Sequence, residues 1–317
     1  MHRPLAILIV LVSFFTGCSH HSKVESERPL SPRAVRIARA DGVSAEWQEI
    51  VQRCASADAV LIGENHGHPL GLSSAAALWD DILAASRSAT LAMEFFERDD
   101  QAAIDDYLSG VSDEAAFLKA AGRNDGNYPP GHRAMVEAAR RAGRPVVAAN
   151  APRRYVRLAR TEGFDRLRGL SAEQSRFFRV PDQLPTGRYH DAFVKVMSAM
   201  ESEGHDPTGQ LGSRVRTPAE EQAERKRIED TFRSQSTWDW TMAESVARSV
   251  QSGGTPTVLV VGRFHVDHDG GTALALRSLR PECRLICVSF IDRWSATDED
   301  RGRADFVIYV GPDASDH

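Results

Sequence analysis

Six short apolar runs, each separated from the next by residues with other patterning, limit this chain more than any other feature of its sequence. They are Ala59–Gly63 (AVLIG), Thr90–Phe95 (TLAMEF), Pro145–Asn150 (PVVAAN), Thr257–Gly262 (TVLVVG), Arg284–Phe290 and Phe306–Val310. Most are continuous rather than alternating, the pattern of strands covered on both faces, as in a parallel sheet. Helical stretches are expected between them at 72–86, 98–120, 131–142 and 271–280. Strands alternating with helices predict βαβ units. The expected fold class is therefore α/β, a mostly parallel sheet flanked by helices. From Arg153 to Gly254 no good strand is visible. Tyr189–Met200 puts Phe193, Val196, Met197 and Met200 on one helical face. Residues 201–218 read as a loop and 219–252 as helix-rich, so 153–254 is expected to be an inserted helical subdomain. The core is then 46–152 together with 255–312.

The first 45 residues are of another kind. Met1-His2-Arg3 is a short positive start, and Leu5 to Phe15 is an apolar run. It falls short of the ~20 apolar residues that span a bilayer, but it suits a signal-peptide core. The run closes on Phe15-Thr16-Gly17-Cys18, which resembles a bacterial lipobox, with Phe15 where Leu is usual. That resemblance implies a signal peptide over 1–17, cleavage before Cys18 and lipidation of Cys18. Residues 18–45, with Pro29 and Pro32, read as a tether. The expected location is the cell envelope, lipid-anchored, with Ser19 pointing to the outer membrane. Net charge is −5 and the Lys and Arg residues are spread along the chain, so no basic face suggests nucleic acid. Cys54, Cys283 and Cys287 remain. Four residues along one strand separate the last two by ~13 Å, beyond the ~7 Å a disulfide spans. The three are read as buried thiols that pack as small hydrophobes.

Four of the runs finish in unusual polar residues. The first ends in Glu64, Asn65, His66 and His68; the second carries Glu94; the third ends in Asn150 and Arg153; the fourth leads to His265, Asp267, His268 and Asp269. Ligands of open α/β sheets bind at the carboxyl ends of the strands. The expectation is one crevice holding Glu64, His66, Glu94, Asn150 and His265. Neutral imidazole with carboxylates binds zinc, iron or cobalt, a free carboxylate can act as base toward a metal-bound water, and His also ligates haem iron. The bland alternative for Glu94 is a salt bridge, with Arg153 as candidate partner, because a buried ion is usually paired. His132, His190 and His205 are read as surface or helix-end residues, and His68 and His268 as loop residues. On a helix through 228–250, Gln235 and Asp239 share a stripe with Ile228, Phe232, Met242, Val246 and Val250, so they either satisfy buried backbone or point into a site. Tyr107 and Tyr128 are candidate axial haem ligands by residue type alone.

Taken in order, Gly63-Glu64-Asn65-His66, Met93-Glu94, Asn150-Ala151-Pro152 and Gly262-Arg263-Phe264-His265 resemble the ChaN-like haem-binding uptake proteins of the Tiki superfamily. The helix after the Met-Glu strand, and Gln235, Asp239 and Met242-Ala243, extend the resemblance over about residues 57 to 290. It implies an α/β domain with a helical subdomain, haem as ligand, and a role in haem or iron uptake. It admits a homodimer with haem between protomers. His66, Asn150, Arg153, Gln235, Asp239 and His265 are the candidate cofactor-binding residues. The superfamily also holds metal-dependent hydrolases with two Gly-x-x-His motifs and a Glu. In that alternative His66, His265 and Glu94 hold a divalent transition metal, and Glu64 or Glu94 does the catalysis.

Overall fold

A computed structural model of the chain describes residues 29, 31–124, 126–204 and 217–313. Cys18, with the rest of the signal and lipobox residues, and His205 lie outside the described residues. The strands are β1 (Arg36–Arg39), β2 (Ser44–Ala45), β3 (Ala59–Glu64), β4 (Thr90–Glu97), β5 (Val146–Asn150), β6 (Thr257–Gly262), β7 (Leu285–Ile291) and β8 (Phe306–Tyr309). They form one sheet in the order β2-β1-β8-β7-β3-β6-β4-β5. β1 runs antiparallel to both β2 and β8, and every other pairing is parallel.

Burial explains why the strands read as unbroken apolar runs. Val60 and Ile62 of β3, Leu91 and Met93 of β4, and Val258 and Val260 of β6 belong to one hydrophobic cluster. Their strand neighbours Ala59, Leu61, Ala92, Leu259 and Val261 belong to another. Successive side chains point to opposite faces, and both faces are covered. Each fully buried Val, Leu or Ile contributes about 1.5–3 kcal/mol relative to exposure. On the first face lie α1 (Trp47–Ala55), α2 (Pro69–Ala85), α3 (Gln101–Leu108), α4 (Glu114–Ala120) and α5 (Pro130–Arg141). The second face is covered by the 34-residue helix α10 (Pro218–Gln251) and by α11 (Gly271–Leu279). Between β5 and α10 come α6 (Arg153–Glu162), α7 (Phe164–Arg168), α8 (Ala172–Ser175) and α9 (Arg188–Gly204), with no strand among the described residues of that stretch. Edge strand β5 is shielded by a side chain: Gln101 donates to the Val146 carbonyl (2.9 Å) and accepts from the Ala148 N–H (2.8 Å), which blunts an edge that would otherwise invite pairing.

Three expectations need correction. Residues 36–45, read as tether, supply β1 and β2, and Ile37 and Ala38 are buried in the sheet. The helix expected over 98–120 is broken into a 3₁₀ turn, α3 and α4, because Asp113 opens a new helix by accepting the Ala116 N–H at 2.8 Å. Within α9, Phe193 is buried but Val196 is exposed, so the helix turns a narrower face to its neighbours than its apolar spacing suggests. The three cysteines are free; Cys54 and Cys287 are buried and Cys283 is partly so. Burial pushes the Cys54 thiol up to about 12 and raises that of Cys287 as well.

Candidate functional site

The carboxyl ends of β3, β4, β5 and β6 border a crevice of about 310 Å3. Glu64, His66, Glu94, Asn150, Arg153 and His265 all line it, beside Phe95, Glu97, Arg123, His132, Trp238 and Val260. Residues from four distant segments are thus brought to one place.

Local geometry sets each of them. β3 and β6 run in register to Glu64↔Gly262. A Cβ on Gly63 would lie 2.9 Å from the Arg263 Cα, so only glycine lets the turn after β6 pass this close. β4 leaves regular pairing after Met93: its next partner on β5 is Glu97↔Asn150, an irregularity that frees Glu94 from the ladder. The Glu94 carboxylate accepts the Gly262 N–H at 2.7 Å, and its main-chain carbonyl accepts from the Asn150 amide at 3.1 Å. Glu94 makes no ion pair with Arg153. That arginine is exposed and approaches Glu97 instead, at 3.6 Å.

Glu64 is the most enclosed carboxylate of the crevice, with a side chain 2 % exposed. It lies between two imidazoles, His132 Nε2 at 2.9 Å and His66 Nδ1 at 3.1 Å. Burial works against its charge, but the hydrogen bonds from His132 and His66 outweigh that and hold its pKa below the usual carboxylate range. The exposed His66 is raised, mainly through its bond to Glu64. With Nδ1 engaged, Nε2 of His66 lies over Gly262, where a Cβ would come within 2.7 Å of it.

His265 stands on the 3₁₀ turn Arg263–His265 after β6 and is buried. Its Nδ1 bonds Asp239 Oδ1 at 2.6 Å, and its Nε2 is 3.6 Å from Glu94. Burial opposes protonation, yet Asp239 and Glu94 overcome it and raise the ring to about 9. Gln235 Nε2 sits 3.2 Å from both ring nitrogens. Asp239 is buried in α10 and also accepts from Tyr189 Oη (2.5 Å) and Thr272 Oγ1 (2.8 Å). Asp239 therefore holds His265 from behind, while Gln235 meets the ring directly. Among the described residues, no group of three or more His, Cys, Asp or Glu is arranged to hold a metal ion.

His132, read from sequence as a surface or helix-end residue, does stand in the first turn of α5, but it is buried and completes the Glu64 site. A signal for it existed: His132, Met135, Val136 and Ala139 share one stripe of α5, and the three apolar members are buried. Arg123 is the second residue missed. Its guanidinium lies 4.0 Å from the Phe95 ring centroid at the crevice wall. Other expected residues take structural roles. His68 is buried, caps α2 by accepting the Gly71 N–H at 3.0 Å, and bonds the Gly311 carbonyl at 2.9 Å. Asp267 pairs with Arg303 at 2.7 Å and Asp269 with Arg277 at 3.3 Å. His268 bonds Arg188 at 3.0 Å. Tyr107 and Tyr128 do not reach the crevice surface: Tyr107 donates to Glu137, Tyr128 packs among Phe95, Phe96 and Phe117, and both are buried.

A mostly parallel α/β sheet brings its polar strand ends to one crevice, the place where ligands of open α/β sheets bind. The chain belongs to the family described as haem-binding uptake, Tiki superfamily, ChaN, whose model matches residues 50–276. The match starts within α1 and stops within α11, a little N-terminal of the span expected from the motifs. Among solved structures, the chain is similar to ChaN of Campylobacter jejuni, in a structure titled for cofacial haem binding. Identity is 14%, coverage is 86% of this chain and 96% of that one, and the TM-score is 0.61. Weaker similarity joins it to the type III effector HopBA1 (15% identity, 89% and 98% coverage, TM-score 0.43). An erythromycin esterase mutant in its open conformation is comparable (12%, 84% and 79%, TM-score 0.44). No curated protein matches the sequence. No helix among the described residues is long and apolar enough to cross a membrane.

Proposed function

We propose that the chain is an envelope-anchored lipoprotein that binds haem at the carboxyl-end crevice and serves haem or iron uptake. The observation that carries this reading is the Glu64–His66 pair in a member of a haem-binding family. A carboxylate on one ring nitrogen fixes the tautomer and leaves the other nitrogen for iron. Here Glu64 engages Nδ1 of the exposed His66. Phe95, Trp238 and Val260 offer apolar wall, and Arg123 and Arg153 offer cations for the propionates. These residues fit haem by type. At about 310 Å3 the crevice stands at the small end of ligand pockets, so it would enclose only part of a porphyrin. The exposed remainder would be covered by a second protomer, an arrangement in keeping with cofacial haem in the Campylobacter jejuni structure. The apolar run before Cys18 supports export and lipid anchoring, and the Ser that follows favours the outer membrane.

One observation favours a second reading, a metal-dependent hydrolase: His66, Glu94 and His265 border the same crevice, with Glu94 and His265 3.6 Å apart. Titration with haemin, followed at the Soret band and paired with metal analysis of the purified protein, separates the two. A saturable Soret shift supports haem binding. No shift, with zinc, manganese or cobalt copurifying, supports the hydrolase and overturns the haem reading.

A further inference from the structure

A second cavity lies away from the strand-end crevice. A cleft of about 930 Å3 runs along edge strand β5, from Thr90 and Pro145 at the amino ends of β4 and β5 to Arg98 in the 3₁₀ turn before α3. It shares no lining residue with the crevice. Its volume lies in the range of sites that bury small ligands.

The wall carries Arg87, Arg98, Arg144, Arg176 and Arg248 and a single carboxylate, Asp99. Arginines thus outnumber carboxylates on the wall, with Glu244 behind it shared by Arg98 and Arg248. Asp99 is already taken by Arg154, which it approaches at 2.5 Å. The arginines divide into two kinds. Arg98 is fixed: its side chain is 8 % exposed and bonds Glu244, Ser245 Oγ and the carbonyls of Thr241 and Arg176. Burial lowers it to about 10, which keeps it cationic at neutral pH. Arg144 is different, since its Nε is buried with no hydrogen-bond partner. Arg176 stands 4.6 Å from the ring centroid of Phe177, another wall residue. Arg248 meets Glu244 at 3.1 Å while its side chain stays more than half exposed. Arginine forks match phosphate oxygens in two-point contacts.

We infer that this cleft is a second binding site, for a ligand bearing two or more phosphate groups, separate from the haem crevice. Phosphates would lie between the arginines, beside the Phe177 ring that Arg176 already covers. Such phosphates can come from a soluble diphosphate or from a phosphorylated lipid headgroup. The inference does not depend on the haem reading, because the two sites share no residue.

The test is calorimetric titration of the full chain with inorganic pyrophosphate and, separately, with phosphatidylcholine vesicles with and without a diphosphorylated glycolipid. The variants are Arg144→Gln, Arg176→Gln and the double substitution. The proposal expects saturable binding to pyrophosphate or to the phosphorylated vesicles, weakened by added salt. Each single variant should lose about tenfold in affinity and the double variant more, with haemin titration unchanged in all. Pyrophosphate binding identifies a soluble ligand as sufficient; binding to phosphorylated vesicles alone identifies the headgroup. Absence of binding to both probes overturns the inference. So does binding that the variants leave intact, and so does loss of haemin binding in correctly folded variants, which would make the cleft part of the haem site.

Discussion

Replacing His132 by Leu tests how the crevice is held together. The substitution keeps much of the volume beside Phe95 but removes the 2.9 Å partner of a carboxylate whose side chain is 2 % exposed. Breaking a buried pair by removing one partner costs about 3–5 kcal/mol. His66 still meets Glu64 from the exposed side at 3.1 Å, so the lower end, about 3 kcal/mol, is expected. At about 2 °C per kcal/mol for a domain of this size, the midpoint of thermal unfolding should fall by about 6 °C. Removing the charge as well should recover part of that loss, so Glu64→Gln/His132→Leu should unfold above His132→Leu alone. Differential scanning calorimetry at neutral pH measures both. A single variant that unfolds within about 2 °C of wild type, or a double variant no more stable than the single, would refute the reasoning. Glu64 also predicts an acid limit. Its folded pKa is lowered, so its contribution is complete above the unfolded value of 4.5 and is lost as pH falls through the depressed folded value.

Four further outcomes follow from the same geometry. His265 is raised from 6.5 to about 9, so its stabilising contribution is full below 6.5 and is lost as pH rises toward 9; urea unfolding across that window should show a decline of roughly 3 kcal/mol, flattened by Asp239→Asn. Gly262→Ala places a Cβ 2.7 Å from His66 Nε2 and should displace the exposed ring, weakening haemin binding in spectrophotometric titration while calorimetry shows little change in stability. Native protein truncated before residue 29 should leave Cys54 and Cys287 unreactive to a thiol reagent until denatured, since burial keeps both thiols protonated. Full-length protein should take up labelled palmitate and fractionate with membranes, and Cys18→Ser should lose both properties.

Much of the sheet was legible because its central strands are covered on both faces and so must be apolar at every position. Glu64, His66, Glu94 and His265 stood out for the same reason: each interrupts or ends an apolar run where the chain emerges from the sheet. β1 and β2 escaped notice because they are only 4 and 2 residues long, lie at or next to an edge, and carry Arg36, Arg39 and Ser44 outward. His132 was hidden differently. Its partner is 68 positions away, and no local pattern names Glu64 as that partner, although the stripe of α5 does mark the position as buried. The pairing of Arg153 with Glu97 rather than Glu94 depends on the β4 irregularity, which turns alternate side chains to new directions after Met93.

The measurement that bears most directly on the account is the affinity for haemin of the wild type against His66→Ala, read from the Soret band with folding checked by circular dichroism. If His66 is the residue presented to iron, the folded variant should bind at least tenfold more weakly and with a shifted Soret maximum. Equal affinity and an identical spectrum would contradict the assignment of the strand-end crevice as the haem site.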